Sequence, residues 1–189
     1  MPGLILYFLD RAFRFWQTAG NWTRVHAGDF RVEDGVVSLC LTWADKPGAL
    51  PIMPGQTIYL RVPRLAPFQS HPFSVADVLR DDSAPGVTCV TLHFPVAGNW
   101  SRGFERLTQS ERPILVQAEG PYETALGSST LTRVVVMVGG GTGATPLLGL
   151  LRHWHRLGSS TRCTLPDHSG LFASRPHKCY LVWSARSLG

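Results

Sequence analysis

The chain alternates in short bursts before it turns helical. In "DGVVSLCLTW", Val37, Leu39 and Leu41 fall on one side. In "QTIYLRVP", Ile58, Leu60 and Val62 do the same, with Tyr59 and Arg61 opposite. A period of two marks a strand with one face in a core. "GVTCVTLHFPV" and "RPILVQAEGPY" read as further strands, and "ADKPGALPIMPGQ" reads as a Pro/Gly loop. "QSHPFSVADV" is also strand-like, though it opens on His71-Pro72-Phe73-Ser74. A proline there gives up a ladder hydrogen bond, so that end belongs at a sheet edge or a barrel mouth. Strands separated by turns predict a small antiparallel barrel or sandwich over residues 21–128.

Beyond it the period changes. "TRVVVMVGG" is a continuous apolar run and predicts a strand buried on both faces. In "GGGTGATPLLGLLRHWHRLG", Leu147, Leu150, Leu151, Trp154 and Leu157 recur at helical spacing. Thr145 suits the N-cap, Pro146 the first turn and Gly158 the stop. A Ser-rich loop from Ser159 to Lys178 and a second apolar strand, "CYLVWSA", complete one β-α-β unit. A doubly wound sheet has about five or six strands, so residues 129–189 read as the first part of a partial α/β nucleotide-binding domain. At the other end, "GLILYFLDRAFRFW" places Ile5, Phe8, Leu9, Ala12, Phe13 and Trp16 on one helical face, with Asp10, Arg11 and Arg14 elsewhere. Residues 1–20 are thus an amphipathic helix, either docked on the chain's own core or lying at a membrane surface.

Apolar residues make up 44% of the chain and charged residues 16%, which fits a folded core and not bulk disorder. The net charge of +5 comes mostly from scattered arginines, with no block of like charge and no zinc-finger, homeodomain or RRM pattern. No nucleic acid is therefore expected as a partner; phosphorylated small molecules fit this charge better. The four cysteines form no CxxC pair and no disulfide framework, so no metal site and reduced, cytosol-facing thiols are expected. There is no signal-peptide layout, and no run of about 18 apolar residues that would span a bilayer.

Four stretches carry candidate chemistry. Gly139-Gly140-Gly141-Thr142-Gly143 lies between a strand and a helix, where backbone N–H groups can meet a phosphate. It lacks the Lys-Ser/Thr of a P-loop and the third glycine of GxGxxG. One tight turn needs fewer glycines than this, which favours a pyrophosphate site over a plain turn. After the second strand stand Ser184, Arg186 and Ser187, where Arg186 can pair with a 2′-phosphate or simply decorate a loop. In "VAGNWSRGFERL", Ser101 would cap a helix starting at Arg102, with Phe104 and Leu107 facing in. That is a ready anion site or an ordinary capped helix. His71 to Ser74 offers an aromatic beside a polar side chain, a pattern that can hold a planar heterocycle or simply start a strand.

Taken in order, these pieces resemble the ferric reductase and NADPH oxidase flavoprotein family, within the ferredoxin–NADP reductase-like group. "LYFLDRAFRF" resembles the segment that joins the last haem-bearing membrane helix to the cytosolic half. "PGQTIYLRVPRLAPFQSHPFS" is similar to the flavin strand and its HPF[ST] motif, "GNWSRGF" to the second flavin-phosphate motif, "EGPYE" to an EGPYG turn, and "VGGGTGATP" to the nicotinamide-nucleotide loop. The resemblance implies a flavin barrel followed by a nucleotide domain, with hydride passing from NADPH to FAD. Electrons would then go to haem in a membrane segment absent from this chain, and on to a small-molecule acceptor, ferric iron or oxygen. It implies that Phe73 flanks the flavin ring, that Ser74 bonds near its N5, and that His71, next to Pro72, sits by the ribityl-phosphate chain. Trp100, Ser101 and Arg102 would bind its pyrophosphate. Gly139, Gly140, Gly141, Thr142 and Gly143 would cradle the NADPH pyrophosphate, and Thr145 and Pro146 would border the nicotinamide. Glu123 in place of glycine, the long loop after Ser159 and the missing later strands depart from the family pattern. They leave a second reading open: a remnant that binds flavin or a partner without turnover. A third is a membrane-surface adaptor held by residues 4–16. The resemblance places the chain at a membrane's cytosolic face.

Overall fold

The computed structural model describes residues 2–18, 22–44, 52–80, 86–110, 112–122, 134–159 and 176–184. Its centre is a seven-stranded sheet in the order β1-β7-β4-β5-β6-β3-β2, antiparallel throughout. The strands are β1 (Trp22–Val25), β2 (Phe30–Glu33), β3 (Val36–Ala44), β4 (Thr57–Arg61), β5 (His71–Arg80), β6 (Val87–Pro95) and β7 (Ile114–Tyr122). The sheet curls into a nearly closed barrel, and the Thr23 hydroxyl on β1 donates across the gap to the Thr42 carbonyl on β3 at 3.1 Å.

The alternation read from the sequence is what fills the barrel. Val37, Leu39, Leu41, Ile58, Leu60 and Val62 are all at most 1% exposed, while Tyr59 and Arg61 face outward. Each such side chain contributes roughly 1.5–3 kcal/mol by leaving water. Helix α2 (Asn99–Thr108) plugs one end with Phe104, and Leu107 packs beside it.

After the barrel come β8 (Val134–Gly140), a 3-10 turn over Gly141–Ala144, helix α3 (Thr145–Ser159) and β9 (Lys178–Ser184). β8 and β9 pair in parallel, as a β-α-β crossover requires. Helix α1 (Pro2–Thr18) precedes the barrel.

Several expectations are corrected. β8 is not buried on both faces: Met137 is buried, but Val134, Val136 and Val138, alternating with it in a two-stranded sheet, are 48–73% exposed. Thr145 is not an N-cap. Its φ of −53° and ψ of −54° are helical, since the 3-10 turn feeds straight into α3 and moves the extended cap position back to Gly140. The α2 helix starts three residues earlier than expected, with Gly98 at its N-cap, so Ser101 lies inside the first turn. Thiols were expected throughout, yet Cys40 and Cys89 form a disulfide. The 49 residues between them hide the fact that β3 and β6 are neighbours, with Cys40 opposite Thr91 and Cys89 opposite Thr42. Among the described side chains of α1, the apolar ones are not buried against the barrel. Leu4 to Leu9 and Phe13 are 53–66% exposed, and Leu4, Leu6 and Tyr7 carry the apolar surface around the helix beyond one face. Arg186, Ser187, Glu123, residues 45–51 and residues 160–175 lie outside the described residues.

Candidate functional site

Strand β5 changes partner along its length. His71 to Ser74 pair with β4, whereas the pairing with β6 begins only at Val75. Its first four residues therefore have one open side. Val75 donates its N–H to the Gln56 carbonyl at 2.8 Å on the β4 side. Because N–H directions alternate along an antiparallel strand, His71 and Phe73 also aim theirs at β4. Pro72 and Ser74 aim the other way, to the open side. Pro72 thus stands where no ladder donor is required, and the Ser74 N–H remains for something that is not a strand.

Two other motifs arrive at the same place. Thr57 lies opposite Ser74 on one side and Tyr122 on the other, so "PGQT", "HPFS" and "EGPY" form one row across three strands. Tyr122 donates its hydroxyl to the Glu119 carboxylate and meets the Tyr59 ring edge-on at 5.5 Å.

Helix α2 closes the mouth. The Ser101 hydroxyl accepts from the N–H groups of Ala97 and Gly98, both at 3.0 Å, and donates to the Gly98 carbonyl at 3.1 Å. A hydroxyl has one donor and two acceptor sites, so Ser101 is fully engaged in holding the turn. The N–H groups of Asn99, Trp100 and Ser101 then have no intrahelical acceptor, as in any first turn. Arg102 folds back beside them and donates to the Ala97 carbonyl at 3.0 Å.

Between strand and helix sits an aromatic cluster. The His71 and Trp100 rings lie 4.7 Å apart, Phe73 is 4.7 Å from Phe94 and 5.5 Å from Trp100, and Trp100 stacks on Phe104 at 5.7 Å. Two ring nitrogens in this cluster, His71 Nε2 and Trp100 Nε1, are buried without a hydrogen-bond partner. A buried donor or acceptor left unpaired costs about 1–3 kcal/mol, so two such nitrogens in one cluster mark a position where a polar group belongs. Phe94 was not singled out from the sequence as part of this site. Its inward place in the β6 alternation was the only signal.

The glycine loop divides by role. Gly141 has φ +52°, and a Cβ on Gly139 would come within 3.0 Å of Leu147 and 3.2 Å of the Ala144 backbone. The fold itself demands those two glycines. Gly140 and Gly143 face no such demand: an added Cβ would meet nothing closer than 3.9 Å at Gly140 and nothing within 4 Å at Gly143. The indole N–H of Trp183, missed in the sequence reading, donates to the Gly141 carbonyl at 3.1 Å and steadies the loop. Ser184 pairs with Gly140 at the carboxyl end of both strands, where open α/β sheets receive ligands. Thr142 and Gly143 are exposed there, and Thr145 and Pro146 follow at the start of α3. The structure therefore gathers His71, Phe73, Trp100 and Ser101 at the barrel mouth, and Gly139 to Thr145 with Ser184 at the end of the parallel pair.

These residues fit a flavin at the mouth: two unpaired ring nitrogens, a free strand edge and an open helix start provide sites for polar groups and a ring. The profile of an FAD-binding domain family matches residues 31–126. The chain is 27% identical over 170 residues to Ferric reduction oxidase 4 of Arabidopsis thaliana, covering 88% of this chain and 23% of that protein. It is 25% identical over 150 residues to a superoxide-generating NADPH oxidase heavy chain of Dictyostelium discoideum, covering 70% and 20%. It thus spans about a quarter or less of these relatives. Among solved structures, the ferredoxin reductase in carbazole 1,9a-dioxygenase superposes with a TM-score of 0.59 at 16% identity, over 87% of this chain and 42% of that one. Phthalate dioxygenase reductase gives 0.54 at 16%, over 90% and 46%. By the match over residues 31–126 the chain belongs to an FAD-binding domain family, and it is similar to ferric reductases and NADPH oxidases.

Proposed function

We propose that the barrel mouth holds FAD and the glycine loop holds NADPH, so that electrons pass from NADPH through the flavin towards haem in a membrane partner segment. The observation that carries this reading is the pair of unpartnered ring nitrogens of His71 and Trp100 beside the open edge of β5. Flavin supplies the step from two-electron hydride chemistry to one-electron transfer; the protein supplies position.

Each residue has a role in this reading. Phe73 flanks the ring system, next to Pro72 at the bend. The Ser74 N–H and hydroxyl meet the polar edge of the heterocycle near N5. His71 and Trp100 take phosphate or ribityl oxygens, and Arg102 adds charge to the first turn of α2. Ser101 holds that turn in place. Gly140 and Gly143 leave room for the NADPH pyrophosphate between Gly139, Gly141 and Thr142. Thr145 and Pro146 border the nicotinamide, and Ser184 and Arg186 meet the ribose end. No general acid or base is required.

The exposed apolar residues of α1 support a place against a membrane surface or a haem-bearing membrane segment, on the cytosolic side. No helix among the described residues is itself long and apolar enough to cross a membrane. Ferric iron and oxygen are the acceptors this reading admits.

Titration of the purified chain with FAD tests the reading. Quenching of flavin fluorescence and a rise in melting temperature are expected; absence of both sinks it. A second reading, flavin binding without turnover, is favoured by the exposed face of Val134, Val136 and Val138 on the two-stranded sheet. Steady NADPH oxidation with a ferric chelate or dye rules that second reading out.

A further inference from the structure

Helix α3 and strand β5 meet more closely than ordinary packing allows. A Cβ added to Gly149 would lie 2.1 Å from the Ala76 carbonyl oxygen, 2.9 Å from its carbon and 3.2 Å from the Pro54 side chain. Real Cβ atoms do not approach backbone at such distances, so only glycine permits this seam. Gly149 is buried within a helix, where glycine is otherwise unfavourable.

The seam sits at a specific irregularity. In the β5–β6 ladder Val75 pairs with Leu92, but Asp77 pairs with Thr91, so Ala76 is the extra residue of a bulge. It falls where β5 turns from β4 to β6. Bulges redirect the backbone locally, and this one presents the Ala76 carbonyl to α3. Next to it, Leu150 is 1% exposed and packs against the Gly55 turn, where a Cβ would be 3.2 Å from its side chain. Seven residues beyond Gly149 along α3, Arg156 grips Asp77 with both terminal nitrogens, at 2.8 and 2.6 Å, and reaches the Val78 carbonyl at 3.2 Å. The bidentate fork fixes orientation as well as distance.

We infer that Gly149, with the Asp77–Arg156 pair, is a positioning device that holds the nucleotide loop in register with the flavin mouth. β5 carries the flavin motif at His71 to Ser74 and the seam at Ala76 to Val78. α3 carries the nucleotide loop before Thr145 and the seam at Gly149 and Arg156. Each element thus has a functional end and a docked end, and rigid docking of the second sets the separation of the first. Hydride transfer requires reacting atoms about 3–3.5 Å apart, so a shift of about 1 Å at the seam is costly to rate. The inference rests on the flavin–NADPH reading above.

The test uses the full chain with Gly149→Ala, Arg156→Ala and Arg156→Lys. Amide hydrogen exchange reports whether α3 stays on β5, FAD fluorescence quenching reports the mouth, and anaerobic stopped-flow bleaching of bound flavin by NADPH reports transfer. Gly149→Ala is expected to raise exchange in α3 and at residues 76–78 at least tenfold. FAD affinity should stay within twofold. The limiting bleaching rate should fall at least tenfold, with little change in half-saturating NADPH. Arg156→Ala should slow bleaching about threefold or more, and Arg156→Lys, which keeps charge and loses the fork, should fall between. Should Gly149→Ala fail to fold, the two Arg156 variants decide.

Unchanged exchange, an unchanged limiting rate, or parallel loss of FAD would overturn the inference. So would a wild-type chain that takes up FAD but is not bleached by NADPH, because there is then no transfer to align. A wild-type chain that takes up no FAD sinks the flavin reading instead, and the exchange data alone then decide whether Gly149 and Arg156 dock α3.

Discussion

Replacing Ser101 by alanine separates two roles that one residue can have in an anion site. In this structure the hydroxyl is buried and spends its hydrogen-bonding capacity on Ala97 and Gly98. Its loss strands two N–H groups on exposed residues, which water can partly satisfy. The cost should resemble that of a lost helix cap, about 1–2 kcal/mol. For a chain of this size each kcal/mol lowers the melting temperature by about 2–4 °C, so a fall of about 2–8 °C is expected without flavin. If the variant only destabilises the binding-competent first turn, FAD affinity can fall by no more than the same free energy, about 5–30-fold. Differential scanning fluorimetry of the flavin-free protein, with FAD titration of the same sample, measures both. Ser101→Thr keeps the hydroxyl and should stay near wild type in each. A lost FAD affinity with an unchanged flavin-free melting temperature would refute the reasoning, because it would make Ser101 a direct ligand.

Phe104→Ala removes a fully buried ring that stacks on Trp100, and should destabilise the barrel by about 3–5 kcal/mol, read by denaturant unfolding. Gly139→Ala should lower the melting temperature because of its close contacts with Leu147 and Ala144. Gly143→Ala has open space, so it should leave stability alone and weaken NADPH binding, as read by titration. His153 provides a pH test. Burial lowers its pKa below the ordinary 6.5, the charges of Arg156 and Arg80 lower it further, and Asp77 opposes them. The unfolded chain therefore takes up a proton first as pH falls, so stability should decline from about pH 6.5 downward, and His153→Gln should flatten that slope in thermal melts. For Asp77, burial raises the carboxyl pKa, but the Arg156 hydrogen bond, the Val78 N–H and the charges of Arg156 and Arg152 outweigh it and hold it below 3.8. Its contribution is thus present above that pH and lost only below it.

Much of the fold was legible because it depends on local periodicity. Val37, Leu39 and Leu41, or Ile58, Leu60 and Val62, point inward because side chains alternate on any strand, whatever its neighbours. The five motifs were legible for a related reason: glycines, a proline and aromatics at short spacing constrain backbone within a few residues. What the sequence by itself determined, then, was where strands and turns lie and which short stretches carry chemistry.

Strand order, and everything that follows from it, was decided only in three dimensions. The adjacency of Cys40 and Cys89, and the row from Ser74 through Thr57 to Tyr122, depend on pairings between distant segments that no local pattern encodes. Pro72 is tolerated because β5 changes partner at Val75, which depends on where β4 and β6 run. Nothing in the sequence around Gly149 signals the bulge at Ala76 that packs against it. The glycine loop shows the same division within a few residues. Its composition marked a turn with glycines to spare, but only the contacts around Gly139 and the open space at Gly143 show which glycine the fold requires and which it leaves for a ligand.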